Sequence, residues 1–314
     1  MIEITKPGVY DNVPPEQYHA DRLLKDAVTL SAGVAWTLIS RSPAHAFIKH
    51  PRLNPDFEPE EKAVFDMGKA GHNMALRQDF WREEIAILDF PDWKKKAARE
   101  ERDEARAAGK HPVLIDQYER LDKMIGVLEA HPQAGKAFKN GKPEQTFIWQ
   151  CKETGVLKRA RPDWTPNAPG TMFPDYKTTA DANPSTWDRR FMLDHGGLLR
   201  AAWYEEGIKA ACKIEKPTLF YVVQEVDPPH SVVVRIIDPD SEIMKIGRAM
   251  VRKATHLWAD CLDKNEWPTY PFTGTLILPG WAENQWSVEY ADWMPKAETT
   301  SDAIPGGQNP LDAG

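Results

Sequence analysis

In the stretch RARPDWTPNAPGTMFPDYKTT, Arg159 to Thr179, two strand-like segments, RARPDW and FPDYKTT, flank an eight-residue gap that contains proline and glycine. Asp163 stands near the end of the first segment, Asp175 lies in the second, and Lys177 follows two residues later. Along an extended strand, side chains at i and i+2 share a face. Asp175 and Lys177 therefore project together, and Asp163 can meet them from the neighbouring strand. Two carboxylates and a lysine on one sheet face suit metal-assisted phosphodiester cleavage. Carboxylate oxygens hold Mg²⁺, the ion activates water and offsets phosphate charge, and the ammonium orients the water or stabilises the transition state. An ordinary hairpin with exposed charges has the same spacing, and Asp92-Trp93-Lys94 repeats the Asp-x-Lys pattern elsewhere. Asp175 is set apart by its apolar lead-in, Met172 and Phe173, and by the second aspartate twelve positions back.

The 314 residues are 41% apolar and 28% charged, the profile of a soluble globular protein. No run approaches the ~20 apolar residues of a membrane helix, and MIEITKPGVYDNV lacks the basic and apolar regions of a signal peptide. Cys151, Cys212 and Cys261 are isolated and odd in number, which points to a reducing compartment and away from a disulfide, zinc or iron–sulfur framework. The net charge of −7 counts against an extended nucleic-acid face but leaves room for a local one. With no Walker loop and no GxGxxG, neither nucleotide hydrolysis nor a dinucleotide cofactor is expected.

Residues 1–30 read as an irregular lead-in punctuated by Pro7, Pro14 and Pro15. Ser31 caps a first helix and Pro43 opens a second. Ser40 and Arg41 fall at the join, either as a phosphate contact or as a solvated helix junction. The spacing predicts a helix over 61–77, with His72 at the edge of its apolar stripe, either packed and hydrogen-bonded or a ligand. Residues 92–139 are a charged, helical insertion with i,i+4 pairs of opposite sign. EQTFIWQ and VLKRARPDW form a hairpin around Glu153-Thr154-Gly155, with Lys158, Arg159 and Arg161 making the return strand basic. Glu144, at the head of the hairpin, is either a third carboxylate for the site or a surface residue. A long helix over 183–212, a second hairpin over 217–237 and a helix over 239–263 follow. This order predicts an α/β domain with a mixed central sheet, a single unit over 1–292, and a disordered tail over 293–314.

In this order, LSAGVAWTLISRSPAHA, GKAGHNMAL, RARPDW, PDYKTT, LRAAWYEEGI, FYVVQE and EWPTY resemble the PD-(D/E)XK nuclease superfamily. Within it the chain looks most like the RecE-type exonucleases, relatives of lambda exonuclease and the RecB nuclease domain. The resemblance covers roughly residues 28–272. It implies a restriction-endonuclease-like core of mixed sheet flanked by helices, and an exonuclease using Mg²⁺, with Mn²⁺ as a substitute. Such an enzyme degrades double-stranded DNA from the 5′ end, releases mononucleotides and leaves 3′ single-stranded tails. The resemblance makes Asp163, Asp175 and Lys177 catalytic, and His72, Asp163, Asp175 and the Tyr176 backbone carbonyl metal ligands, with Glu144 a further acidic candidate. Ser40, Arg41, Arg161, Arg200 and Tyr204 would contact DNA. It also implies a RecT-type single-strand annealing partner, a ring-like trimer or tetramer, and the cytoplasm of a bacterial or phage-infected cell. One position departs: on the helix after the lysine strand the family usually carries Gln-x-x-x-Tyr, and here Arg200 precedes Tyr204. A nuclease with single-strand or endonucleolytic preference, or a silent DNA-binding scaffold, are the alternatives.

Overall fold

The computed structural model of the chain describes residues 1–58, 64–76, 84–168, 170–270 and 274–293, with backbone only for 64–69. Of the tail expected over 293–314, Trp293 lies in a 3₁₀ turn and 294–314 lie outside the described residues, as do residues 59–63 and Arg77 of the expected helix region. The chain divides into two compact units, Met1–Thr269 and Tyr270–Gly314.

The first unit opens with β1 (Gly8–Tyr10), α1 (Pro15–His19) and β2 (Leu30–Ser31). Helices α2 (Ala32–Ser40) and α3 (Pro43–Lys49) follow. Ser31 accepts the Val34 N–H and Ser42 the His45 N–H, both at 3.4 Å, so each helix starts on the hydroxyl that the sequence offers. Next come α4 (Val64–Leu76), β3 (Ile85–Leu88), α5 (Lys96–Ala107), β4 (His111–Leu114) and α6 (Ile115–Ala130). The charged insertion is thus not all helix. Strands β3 and β4 pair in parallel across α5 and bury Ile85 and Val113. Four residues each, they are too short for alternation to announce them.

Strands β5 (Gly141–Pro143), β6 (Thr146–Gln150), β7 (Leu157–Ala160), β8 (Trp164–Pro166) and β9 (Met172–Thr179) come next. The expected hairpin is β6–β7, with Phe147 opposite Ala160 and Cys151 N–H closing the turn on Val156 O at 2.8 Å. β1 and β2 flank it in a sheet of order β1-β6-β7-β2. After β9 come α7 (Pro184–Arg189), a π-helical turn over Arg190–Asp194, α8 (Gly197–Cys212), β10 (Thr218–Glu225), β11 (Val232–Ile237) and α9 (Glu242–Lys264). β10 runs parallel to β9, placing Tyr221 beside Asp175 and Val223 beside Lys177, and antiparallel to β11. This three-stranded mixed sheet carries the expected α/β architecture. The second unit holds α10 (Gly280–Glu289) and a short 3₁₀ turn, Ala291–Trp293.

Helix α8 is the inner layer. Its Leu199, Trp203 and Ile208 are buried against α2, α9, β6 and β10, and Trp203 and Trp258 are fully enclosed. At Gly247 an added Cβ would fall 2.3 Å from the Leu198 carbonyl, so α9 packs on α8 almost backbone to backbone.

The long helix expected over 183–212 is broken at His195-Gly196. Gly196 has φ +69°, and a Cβ there would lie 2.5 Å from the Trp36 ring. The chain turns at the one residue type that tolerates both constraints. Gly196→Ala is therefore expected to lower the urea midpoint, at a cost of roughly 1–3 kcal/mol. Equal midpoints for the variant and the parent would remove this contact from the account.

Candidate active site

Asp163 lies in the bend between β7 and β8. Pro162 has no N–H, so the β7 ladder stops at Ala160. β8 then pairs with β5, not β9. The expected meeting of Asp163 and Asp175 across paired strands is thus corrected: the aspartate side chain makes the connection. Asp163 Oδ2 accepts the Tyr176 backbone N–H at 2.7 Å, and its own carbonyl accepts the Glu144 N–H at 3.0 Å.

On β9, Asp175 and Lys177 share a face as the period of two requires, and the Lys177 ammonium lies against Asp175 Oδ1. The same ammonium is 3.6 Å from Asp163 Oδ2 and donates to the Tyr176 carbonyl at 3.2 Å. His72 reaches in from α4, with Nε2 3.2 Å from Asp163 Oδ1 and Nδ1 4.0 Å from Glu144 Oε1. Residues 72, 144, 163, 175 and 177 therefore form one cluster.

The charges are strongly interdependent. Burial pushes the Asp175 carboxyl above its ordinary pKa, and repulsion from Asp163 adds to the rise beyond what Lys177 removes. Burial works upward on Asp163 too, but Lys177, His72 and the Tyr176 N–H outweigh it and hold this carboxyl well below the usual range. Burial alone would depress Lys177. Asp163 and Asp175 more than reverse that, so the ammonium stays charged. His72 is likewise raised against its burial by Asp163 and Glu144.

Among the described residues, no three His, Cys, Asp or Glu side chains converge tightly enough to enclose an ion. The donor set still fits a hard divalent cation: two carboxylates and a peptide carbonyl supply oxygen, and His72 adds a nitrogen. Asp175 Oδ2 is buried and has no hydrogen-bond partner among the described residues. An uncompensated carboxylate oxygen at 5% residue exposure is what a bound cation satisfies.

The expected DNA contacts are placed unequally. Arg41 is exposed at the end of α2. Ser40 returns its hydroxyl to Trp36 O at 2.7 Å in its own helix. Arg200 and Tyr204 sit one turn apart on α8. Arg200 Nε donates to His195 O at 3.2 Å, and the Tyr204 hydroxyl donates to Arg161 O at 3.4 Å. Burial, then the fields of Asp175 and Asp163, drive the Tyr204 phenol well up, which sets it in the electrostatic range of the site. Arg161 departs from expectation. Its guanidinium donates to Val13 O at 2.8 Å and Thr146 Oγ1 at 3.1 Å and covers the Tyr18 ring, so it ties the lead-in to β6.

The return strand is not a basic surface either. Lys158 is 1% exposed and donates to Glu206 at 2.8 and 3.0 Å. Arg159, 3% exposed, pairs with Asp21 at 2.7 Å and donates to Thr29 Oγ1 at 2.7 Å. His50 Nε2 lies 3.4 Å from the other Asp21 oxygen. This buried cluster escapes sequence reading because its members are far apart in the chain. Gln224 is a further unforeseen support. Its Oε1 accepts the Tyr176 hydroxyl at 2.7 Å, while Nε2 donates to Met124 O at 2.7 Å and His230 O at 3.3 Å. The only sign is an amide inside the apolar run FYVVQE.

Residues 36–274 match the family described as a PDDEXK-like domain of unknown function, DUF3799. The chain belongs to that family. A crystal structure of a candidate exonuclease from Eubacterium rectale aligns over 90% of this chain and 98% of its own, with a TM-score of 0.55 and 10% identity. At that identity the likeness is one of fold. SSO0001 aligns over 65% of this chain and 86% of its own at 12% identity, and its TM-score of 0.28 carries no argument. No curated protein matches the chain.

Asp175 and His72, both raised, must shed protons for a PDDEXK-like cluster to take up a cation. Calorimetric Mn²⁺ titration is therefore expected to show affinity climbing with pH beyond the ordinary carboxylate range, with proton release on binding. Asp175→Asn should abolish most of both. A pH-independent affinity would remove Asp175 from the ligand set.

Proposed function

We propose that this protein is a divalent-cation-dependent DNA exonuclease. The reading rests on one observation above others: two buried aspartates from separate segments converge on a single charged lysine, and one oxygen is left uncompensated. Asp163 and Asp175 would hold the cation, with the Tyr176 carbonyl and His72 completing the set. When bound, the cation supplies charge neutralisation at the phosphate and lowers the pKa of water.

Lys177 stays cationic, so it is not the base. It orients water and stabilises charge that develops on the phosphate. Asp163 locks the geometry by gripping the Tyr176 N–H, which fixes the strand between the two other catalytic side chains. Arg41, exposed beside the α2–α3 junction, would take a terminal phosphate. Arg200, a planar guanidinium where the resemblance leads to an expected glutamine, would bind phosphate bidentately.

The substrate we favour is a double-stranded DNA end, degraded 5′ to 3′ with Mg²⁺ or Mn²⁺, with mononucleotides released and a 3′ tail left. A single-strand annealing protein of RecT type would receive that tail, and a ring of three or four copies would keep the enzyme on its substrate. The support for these finer points is the order of sequence motifs.

A linear duplex labelled at the 5′ or the 3′ end and incubated with Mg²⁺ or EDTA tests the reading. The 5′ label should leave first, as a mononucleotide and only with metal. Asp163→Ala and Lys177→Ala should cut at least about 100-fold more slowly yet still shift the duplex in EDTA. Wild-type protein that binds without cutting would put a silent scaffold ahead, with Arg200 the first suspect. Variants that cut at the parent rate would overturn the site assignment.

A further inference from the structure

Between the β6–β7 turn, α8 and α9 lies an open cavity of about 1050 Å³. None of Asp163, Asp175, Lys177, His72 or Tyr204 lines it. Its charge runs against that of the chain. The whole sequence has 47 acidic and 40 basic residues, whereas the cavity wall has six lysines and arginines against three glutamates.

The glutamates pin these cations without exhausting them. Glu205 holds Arg248 at 2.8 and 2.7 Å and also Lys209 at 2.7 Å. Glu153 Oε2 is 3.3 Å from Arg252 Nε and 3.1 Å from His256 Nε2. Glu206 takes both Lys158 and the Trp149 N–H. One carboxylate per two donors fixes the cations and leaves positive charge over. Arg252 shares the single Glu153 carboxylate with His256, and its side chain is largely exposed. Lys213, which follows α8 in the left-handed region at φ +60°, also lines the cavity, its ammonium donating to Ala210 O at 2.9 Å. Lys152, exposed, lines the cavity as well.

We propose that this cavity is a phosphodiester-backbone site that holds a nucleic-acid strand away from the cleavage centre. Cations held in fixed positions, six against three carboxylates, suit phosphate contacts independent of sequence. The assignment rests on the nuclease reading: a processive enzyme gains from a second grip on its strand.

The test uses the full chain in EDTA, a fluorescein-labelled single strand of about 20 nucleotides and fluorescence anisotropy. Lys213→Glu combined with Arg252→Glu should weaken binding about tenfold or more and flatten the salt dependence by about two phosphate contacts. Lys96→Glu on exposed α5 should change neither, and circular dichroism verifies the fold of each variant. Unchanged binding by the double variant overturns the proposal, as does equal displacement by inorganic phosphate or polyglutamate at matched charge. The same proteins given Mg²⁺ and labelled duplex separate the two readings. A parent that cuts while the double variant binds normally overturns only the cavity. A parent that never cuts while the double variant loses the strand overturns only the nuclease assignment.

Discussion

One hydrogen bond holds the centre of this structure together: the Asp163 carboxylate accepting the backbone N–H of Tyr176. It joins two segments that no sheet ladder joins, because β8 pairs with β5 and β9 with β10. The Lys177 and His72 charges and the Tyr176 N–H favour an ionised Asp163, which in turn raises the pKa of Lys177 and His72 and discourages Asp175 from ionising. The cluster is thus an electrostatic whole in which each group's protonation depends on the other three. Such an arrangement is expensive in a closed interior, and it persists where binding or chemistry uses the imbalance.

Behind the cluster the support is covalently remote but mechanically direct. Gln224 on β10 bonds the Tyr176 phenol and the Met124 carbonyl within α6, so the residue between Asp175 and Lys177 is fastened on both its main chain and its ring. Trp203, the buried centre of α8, donates to Arg159 O at 2.9 Å and fixes the strand that leads into Asp163. The site therefore stands on the first unit's core, to which the Asp163 bend is tied by its bond to the Tyr176 N–H.

The acidic pair and its lysine were legible because the period-two strand, the apolar lead-in and the Pro-Asp turn are all local signals. His72 needed more: nothing in its helix distinguishes a ligand from a packing histidine, and only the order of motifs pointed to it. The basic return strand misled for the converse reason. Lys158 and Arg159 look solvent-bound in sequence, but their partners, Glu206 and Asp21, are 48 and over 100 residues away, and charge neutralisation at that separation leaves no local trace. The break at Gly196 was hidden in a helical periodicity that is real on both sides of it. Strands β3 and β4 are held by tertiary pairing with hardly any pattern of their own.

The cluster around Arg159 has a consequence for where the domain begins. The family match starts at residue 36. Asp21 and Thr29, which neutralise and hydrogen-bond the buried guanidinium, lie before that point. A boundary drawn by similarity cuts through a charge-balanced unit, and a fragment starting there would enclose a bare cation. The lead-in is thereby a counter-ion for the fold.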